Sequence, residues 1–327
     1  KIMTNLLVTG GAGFIGSSFV GQQVKKGNKV IVLDKLTYAG KKENLTWIGK
    51  DKYKLIVGDI LDETLVDKIV TEYDIDKIIH FAAESHVDNS IKNPDAFIQT
   101  NINGTHSLLK IALAQYKKKP NFHFHHISTD EVFGDLPLEG NEKFTEDTPY
   151  NPSSPYSASK AASDHLVRAY NKTYNLPITI SNCSNNYGPR QHNEKLIPTI
   201  IRKAIAGEDI GIYGDGKNVR DWIHVDDHNR AVDLILEKGK IGATYCIGGN
   251  NELNNNNIVN KICEILDGIK PKSDGNSYKN QITYIKDRAG HDRRYAIDGS
   301  KIENELGFKN QISFENGLQK LIEVDVR

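Results

Sequence analysis

The first half of the chain alternates between short, nearly continuous apolar runs and longer segments with apolar residues every three or four positions. The runs at 5–9, 29–33, 53–57, 77–81, 122–127 and 176–181 read as buried strands. Between them, 14–26 places Phe14, Ile15, Phe19, Val20 and Val24 on one helical face, and 94–118 and 156–174 read as further helices. Five or six strands alternating with helices predict an α/β chain built on a parallel sheet covered on both faces. Beyond residue 182 the alternation loosens. A helical pattern at 194–206, a turn at 212–216 and a short strand from 220 lead to a helix at 227–236, expected to pack back on the first layer. The pattern thus predicts two domains, 1–182 and a smaller 183–327.

The apolar runs lie on strand–turn–helix junctions that carry chemistry. Gly10, Gly11, Gly13 and Gly16 follow the first run at once, satisfying G-x-G-x-x-G from Gly11, and the second run ends on Asp34, 18 residues after Gly16. Alone, such glycines are a weak signal. Between strand and helix, with an acid at that distance, they are a dinucleotide fingerprint. Glycines let backbone approach a pyrophosphate at the helix N-terminus, and the acid takes the ribose hydroxyls. Asp34 repels a 2′-phosphate, which favours NAD; Lys35 is a mild counter-signal. The fold class is therefore a Rossmann-type doubly wound sheet, followed by a smaller α/β domain for a second ligand. Asp59 and Ile60, Ala82 and Ala83, and Ser85 follow later strand ends on the ligand side; Asp59 could equally cap a helix, as could Ser85.

Ser128-Thr129-Asp130-Glu131 follows the fifth run, and Tyr156 and Lys160 stand four apart on one helix face. A hydroxyl, two acids and a tyrosine–lysine pair can move protons and, with a nicotinamide, hydride. His123 and His125 share one face of the fifth strand; with no acid or cysteine completing a metal set, they read as structural.

Composition narrows the field. The chain has 327 residues, with 42 basic and 42 acidic side chains, a balance that argues against broad nucleic-acid or anionic-membrane binding. Three cysteines, Cys183, Cys246 and Cys263, make neither a disulfide framework nor a zinc motif, and suit a reducing, cytoplasmic setting. Met3, the sole methionine, is a candidate start after Lys1 and Ile2.

The glycine fingerprint, Asp34, Tyr156 and Lys160 resemble the extended short-chain dehydrogenase/reductase superfamily. Within it, the stretches 34–40, 83–88, 128–134, 194–198, 220–222 and 290–295 are similar to those of the dTDP-glucose 4,6-dehydratases. The acid pair after Thr129 is the most specific part, since sugar-nucleotide epimerases of the superfamily lack it. The resemblance implies NAD bound by Gly10, Gly13, Phe14, Ile15, Gly16, Asp34, Lys35, Thr37, Asp59, Ile60, Ala82, Ala83, Thr100, Tyr156, Lys160 and Asn186. It implies a sugar nucleotide held by Ser85, Thr129, Asn185, Lys195, Leu196, Tyr213, Arg220, Asn255, Asp287 and His291.

It also implies catalysis by Tyr156 as phenolate, favoured by the charge of Lys160, with Thr129 on O4, Glu131 as base and Asp130 as acid; adjacency alone allows the reverse pairing. The expected partner is dTDP-glucose, in a homodimer using helix surfaces near 94–118 and 156–174. A UDP-glucose dehydratase, a 4-epimerase using only Tyr156 and Lys160, and a non-catalytic NAD-binding scaffold are the competing readings.

Overall fold

The computed structural model describes residues 3–326; Lys1 and Ile2, before the candidate start, and Arg327 lie outside the described residues. The strands are β1 (Asn5–Thr9), β2 (Lys29–Asp34), β3 (Tyr53–Val57), β4 (Lys77–His80), β5 (His123–Thr129), β6 (Ile178–Cys183), β7 (Asn185–Tyr187), β8 (Ile210–Tyr213), β9 (Val219–His224), β10 (Thr244–Ile247), β11 (Glu252–Asn254) and β12 (Ile282–Ile285).

Seven of these form one parallel sheet in the order β10-β6-β5-β4-β1-β2-β3. Alternate residues feed two cores. Leu6, Val8, Val30, Val32 and Ile79 pack with Phe19, Val20, Val232 and Ile235 on one face. Leu7, Ile31, Leu33 and Ile78 pack with Val66, Ile69, Leu108 and Val167 on the other. Burial on both faces is why these strands read as unbroken apolar runs. The strand order reverses at β1, whose neighbours are β2 and β4, so the crossovers part there and leave a crevice at the carboxyl ends.

Strand β5 is rich in polar residues yet buried at every position. Two of its three histidines find partners on β6: His123 Nε2 and His125 Nδ1 lie 2.9 and 2.7 Å from Thr179 Oγ1, and His125 Nε2 lies 3.1 Å from Ser181 Oγ. Burial pushes His123 down to about 3 and His125 well below its usual value, so both are neutral imidazoles satisfied by hydroxyls.

The division expected at residue 182 is corrected by the sheet itself. Strand β10 lies beyond that boundary but pairs with β6 and completes the sheet edge. The helix Val225–Lys238 also returns: Ser18 Oγ donates to Asp226 Oδ1 at 2.7 Å and Gln23 Nε2 to Asp233 Oδ1 at 2.8 Å. Ile302, Leu306 and Phe308 join the first-layer core as well, while much of the remaining C-terminal chain builds its own core around Tyr187, Ile197, Ile201, Trp222, Ile258, Ile262 and Phe314, with the small sheets β11-β9-β7 and β12-β8. The chain thus crosses between two layers rather than finishing one before the other.

The long helix expected at 94–118 is interrupted. Ile98–Gly104 forms a π turn between Asp95–Phe97 and Thr105–Lys118. Thr105 Oγ1 donates to Asn101 O at 2.6 Å and also lies 2.9 Å from His80 Nε2, so a side chain competes inside the helical ladder. Among the described residues no helix is long and apolar enough to cross a membrane. The three cysteines are free and buried.

Candidate active site

The first wall of the crevice is the turn after β1. Gly10 has φ +69°, and a Cβ there would sit 2.6 Å from the Ala82 nitrogen at the end of β4. A Cβ at Gly16 would overlap the Gly10 carbonyl oxygen. Only glycine lets turn, strand end and helix Phe14–Lys25 come this close. No acid occupies the first turn of that helix, so its N-terminal amides face the crevice without a competing anion.

Asp34, at the end of β2, is buried and accepts from Ala12 N at 2.9 Å and Leu36 N at 2.8 Å. Burial raises its carboxyl and the two amides partly offset that. Lys35, the cation that a 2′-phosphate would need, pairs instead with Asp59 at 2.7 Å. Asp59 Oδ1 also accepts from Leu61 N, while the following helix is capped by Asp62.

The second wall carries the acids. Thr129 caps the short 3-10 turn Asp130–Phe133: its Oγ1 accepts from Glu131 N at 3.2 Å and donates to Asp130 Oδ1 at 3.3 Å. Asn182 Nδ2 on β6 donates to Thr129 O at 3.0 Å and fixes this strand end. Burial, reinforced by Glu131 and Asp221, raises the Asp130 carboxyl well above the usual range. Burial also raises Glu131, but Arg220, Arg288 and Lys195 act against it. The two neighbouring carboxyls therefore stand in different fields: Arg220 acts on both, but Asp130 also feels two acids, whereas Glu131 has Arg288 and Lys195 as further cations.

Tyr156 and Lys160 are presented by the helix Pro155–Tyr174. Its start is fixed by a reciprocal cap: Ser157 N donates to Ser154 Oγ at 3.1 Å, Ser154 N donates to Ser157 Oγ at 3.0 Å, and Pro155 opens the helix. Lys160 Nζ donates to Ile127 O on β5 at 2.7 Å. Lys160, expected to favour a Tyr156 phenolate, is not among the largest influences on that phenol. Burial, then the charge of Glu131, holds the phenol well above its usual value, with the Thr129 hydroxyl a partial offset.

One cleft is lined by Gly10, Gly13, Phe14, Ile15, Gly16, Asp34, Lys35, Thr37, Asp59, Ile60, Ala82, Ala83, Thr100 and Asn186, together with Thr129, Asp130, Glu131, Tyr156 and Lys160. Ser85, Asn185 and Lys195 line it too, and Lys195 Nζ donates to Ser85 O at 3.2 Å across it. Leu196, Tyr213, Arg220, Asn255, Asp287 and His291 do not line this cleft. Leu196 packs on the C-terminal core. Arg220 donates to Val219 O and Asp292 O and lies 4.1 Å over the Tyr295 ring. His291 Nδ1 sits 2.6 Å from Asp287 Oδ1, and Tyr213 OH 3.4 Å from Asp88 Oδ2. Asn255 is buried at the start of helix Asn255–Ile269.

Sequence reading missed Leu33, Phe81, Ile127 and Cys183, which also line the cleft. The first and last two end or nearly end parallel strands and Phe81 follows one, so the rule that ligands bind at carboxyl ends could have found them. Tyr38, Gln191 and His192 come from loops that carry no periodic signal, and Glu194 lies just before the helix, which starts at Leu196 rather than at 194.

The residues fit a dinucleotide: a glycine cradle that any Cβ would fill, an acid at the end of β2 and a cation already paired. The family described as GDP-mannose 4,6 dehydratase matches residues 7–321. A dTDP-glucose 4,6-dehydratase of Xanthomonas campestris is 51% identical over 322 residues, covering 97% of this chain and 91% of the relative. Among solved structures, DesIV, a dTDP-glucose 4,6-dehydratase of Streptomyces venezuelae with NAD bound, is 43% identical with a TM-score of 0.89, covering 98% of this chain and 96% of that one. A UDP-glucose 4-epimerase of Thermotoga maritima is 29% identical with a TM-score of 0.88, covering 99% of each chain. Epimerases and dehydratases thus share this fold, and sequence identity over nearly the whole length separates them: the chain belongs to the dTDP-glucose 4,6-dehydratase family.

Proposed function

We propose that the protein converts dTDP-glucose to dTDP-4-keto-6-deoxy-glucose with NAD as a cofactor that is reduced and reoxidised within one turnover. The observation that carries this reading is the acid pair Asp130–Glu131, set by the Thr129 cap into the same cleft as Tyr156, Lys160 and the glycine turn. A 4-epimerase has no use for two acids at that point, and a scaffold has no use for any of the five.

The C5 proton of a hexose is not acidic until C4 is a ketone, so oxidation at C4 precedes water loss. NAD would be held by the glycine turn, Asp34 and Lys160, and supplies, when bound, a positive charge and a reversible hydride acceptor. Tyr156 then takes the proton of the 4-hydroxyl while Thr129 donates a hydrogen bond to O4. The ketone so formed acidifies C5. Glu131, the acid facing cations, removes the C5 proton. Asp130, held neutral by burial and by Glu131, protonates the departing 6-hydroxyl, and water leaves across C5–C6. After C6 is reduced, Glu131 returns its proton to C5. Lys195 on the cleft wall, with Arg220 and Arg288, which also act on Glu131, would meet the diphosphate, and the family resemblance adds Tyr213, Asn255, Asp287 and His291 to its binding.

A homodimer through the surfaces near 94–118 and 156–174 agrees with the exposure of Ile98 and Tyr174 there, and the unpaired buried cysteines suit the cytoplasm. Glu131→Gln tests the reaction: it removes the base yet keeps the shape. Water loss measured by mass spectrometry should fall by about 10²-fold or more, while NAD binding persists. A variant that dehydrates at the wild-type rate would contradict the reading.

A further inference from the structure

Behind the catalytic wall lies a second acid that the mechanism above does not use. Asp164 is wholly buried on helix Pro155–Tyr174, one turn beyond Lys160. Its Oδ2 accepts from Ser128 Oγ at 2.7 Å and from Tyr150 OH at 2.8 Å, and its Oδ1 lies 3.0 Å from His126 Nε2. Arg168 donates to the Tyr150 hydroxyl at 2.7 Å, closing the network on its far side.

Two neighbouring residues of β5 are thus fastened to two residues of one helix face: Ile127 O to Lys160, and Ser128 Oγ to Asp164. The next residues on that strand are Thr129, Asp130 and Glu131. A lysine this deeply buried loses its proton easily unless an anion stands near. The titratable groups whose charge acts on or with Lys160 are Asp164, four residues on along the same helix, Cys183 on β6, His80 on β4 and His126 on β5. Burial holds both histidines neutral, and it pushes the Cys183 thiol up to about 12, so Asp164 is the anion of the set at neutral pH. Its own carboxyl stays below the usual value, held there against burial first by His126, with the charge of Lys160 and the Ser128 hydroxyl adding to it.

We propose that Asp164 is a positioning residue: the buried counter-charge that keeps Lys160 an ammonium, and the anchor that seats the Thr129–Glu131 strand end against the Tyr156–Lys160 helix. This rests on the dehydratase reading for its consequence, not for its geometry. Asp164→Asn keeps an acceptor for Ser128 and Tyr150 and removes the charge. Tyr150→Phe removes one hydrogen bond and leaves the charge.

The experiment is an NMR titration of the lysine ammonium carbons in the holoenzyme, with Lys160 assigned by its loss in Lys160→Arg. The Lys160 midpoint should fall by about one pH unit or more in Asp164→Asn and hold in Tyr150→Phe. In Asp164→Asn, kcat should drop about tenfold or more, with KM for dTDP-glucose within about twofold. An unmoved midpoint in folded Asp164→Asn overturns the proposal, even if activity is lost. Should that variant not fold, the wild-type titration decides: Lys160 still protonated at pH 8 supports the counter-charge, and Lys160 neutral at pH 7 overturns it. Wild-type turnover run alongside keeps the two claims apart. An inactive wild type counts against the dehydratase, and an active wild type with an unmoved midpoint counts only against Asp164.

Discussion

Asp130 and Glu131 are neighbours in sequence and unlike in environment. Both carboxyls are raised by burial, but Asp130 gains a further push from Glu131 itself, whereas Glu131 is drawn back by Arg220, Arg288 and Lys195. A group whose folded pKa is raised keeps its proton to higher pH, so Asp130 can donate at higher pH than an ordinary carboxyl and stops donating as pH rises through its folded value. The rate of water loss should therefore carry an alkaline limb. Asp130→Asn, which cannot give up a proton as an acid, should lower kcat by about 10²-fold and leave NAD affinity unchanged, as read by stopped-flow turnover and calorimetry. Unimpaired turnover in that variant would remove the acid role. Sequence supplied both residue names, but adjacency could not assign the roles. Arg220 acts on both; the cations that distinguish them, Arg288 and Lys195, are distant in the chain, and no local pattern announces that convergence.

At the scale of elements, the β1–turn–helix–β2 unit was legible because each of its parts is dictated locally: an apolar run, glycines where a Cβ has no room, an amphipathic helix and a terminal acid. Gly16→Ala tests how tight that unit is. Its added methyl overlaps the Gly10 carbonyl, which is backbone and cannot swing aside. NAD affinity by calorimetry should weaken by about tenfold or more while the circular dichroism of the fold persists; undiminished affinity would mean that the turn relaxes freely. Other elements were not legible for physical reasons. β10 is a four-residue strand whose place is set by pairing with β6, a contact 64 residues away in sequence between Ile180 and Thr244. The π turn at Ile98–Gly104 arises from the Thr105 hydroxyl meeting both Asn101 and His80, a tertiary effect with no periodic trace.

For the molecule as a whole, the site is shared between two layers that the chain enters more than once. Its nucleotide wall belongs to the parallel sheet, and its cations come from the C-terminal core. Across the mouth, Arg288 Nη1 lies 3.6 Å from Asp88 Oδ1, and the Tyr213 hydroxyl also faces Asp88. Asp88 thus competes for a cation proposed to meet the diphosphate. Partly exposed pairs of this kind contribute about 0–1 kcal/mol. Asp88→Asn should accordingly lower KM for the sugar nucleotide by no more than about fivefold, with kcat unchanged. A raised KM in steady-state kinetics would instead make Asp88 part of the binding surface.

The central claim is that one hexose is oxidised, dehydrated and reduced without leaving the cleft. The most direct measurement uses dTDP-glucose carrying deuterium at C4, incubated with the holoenzyme and analysed by mass spectrometry and NMR. The account predicts loss of one water, deuterium recovered at C6 of the product, and no lasting NADH. Unchanged mass with conversion of the glucose to galactose, or a dehydrated product with no deuterium at C6, would contradict it.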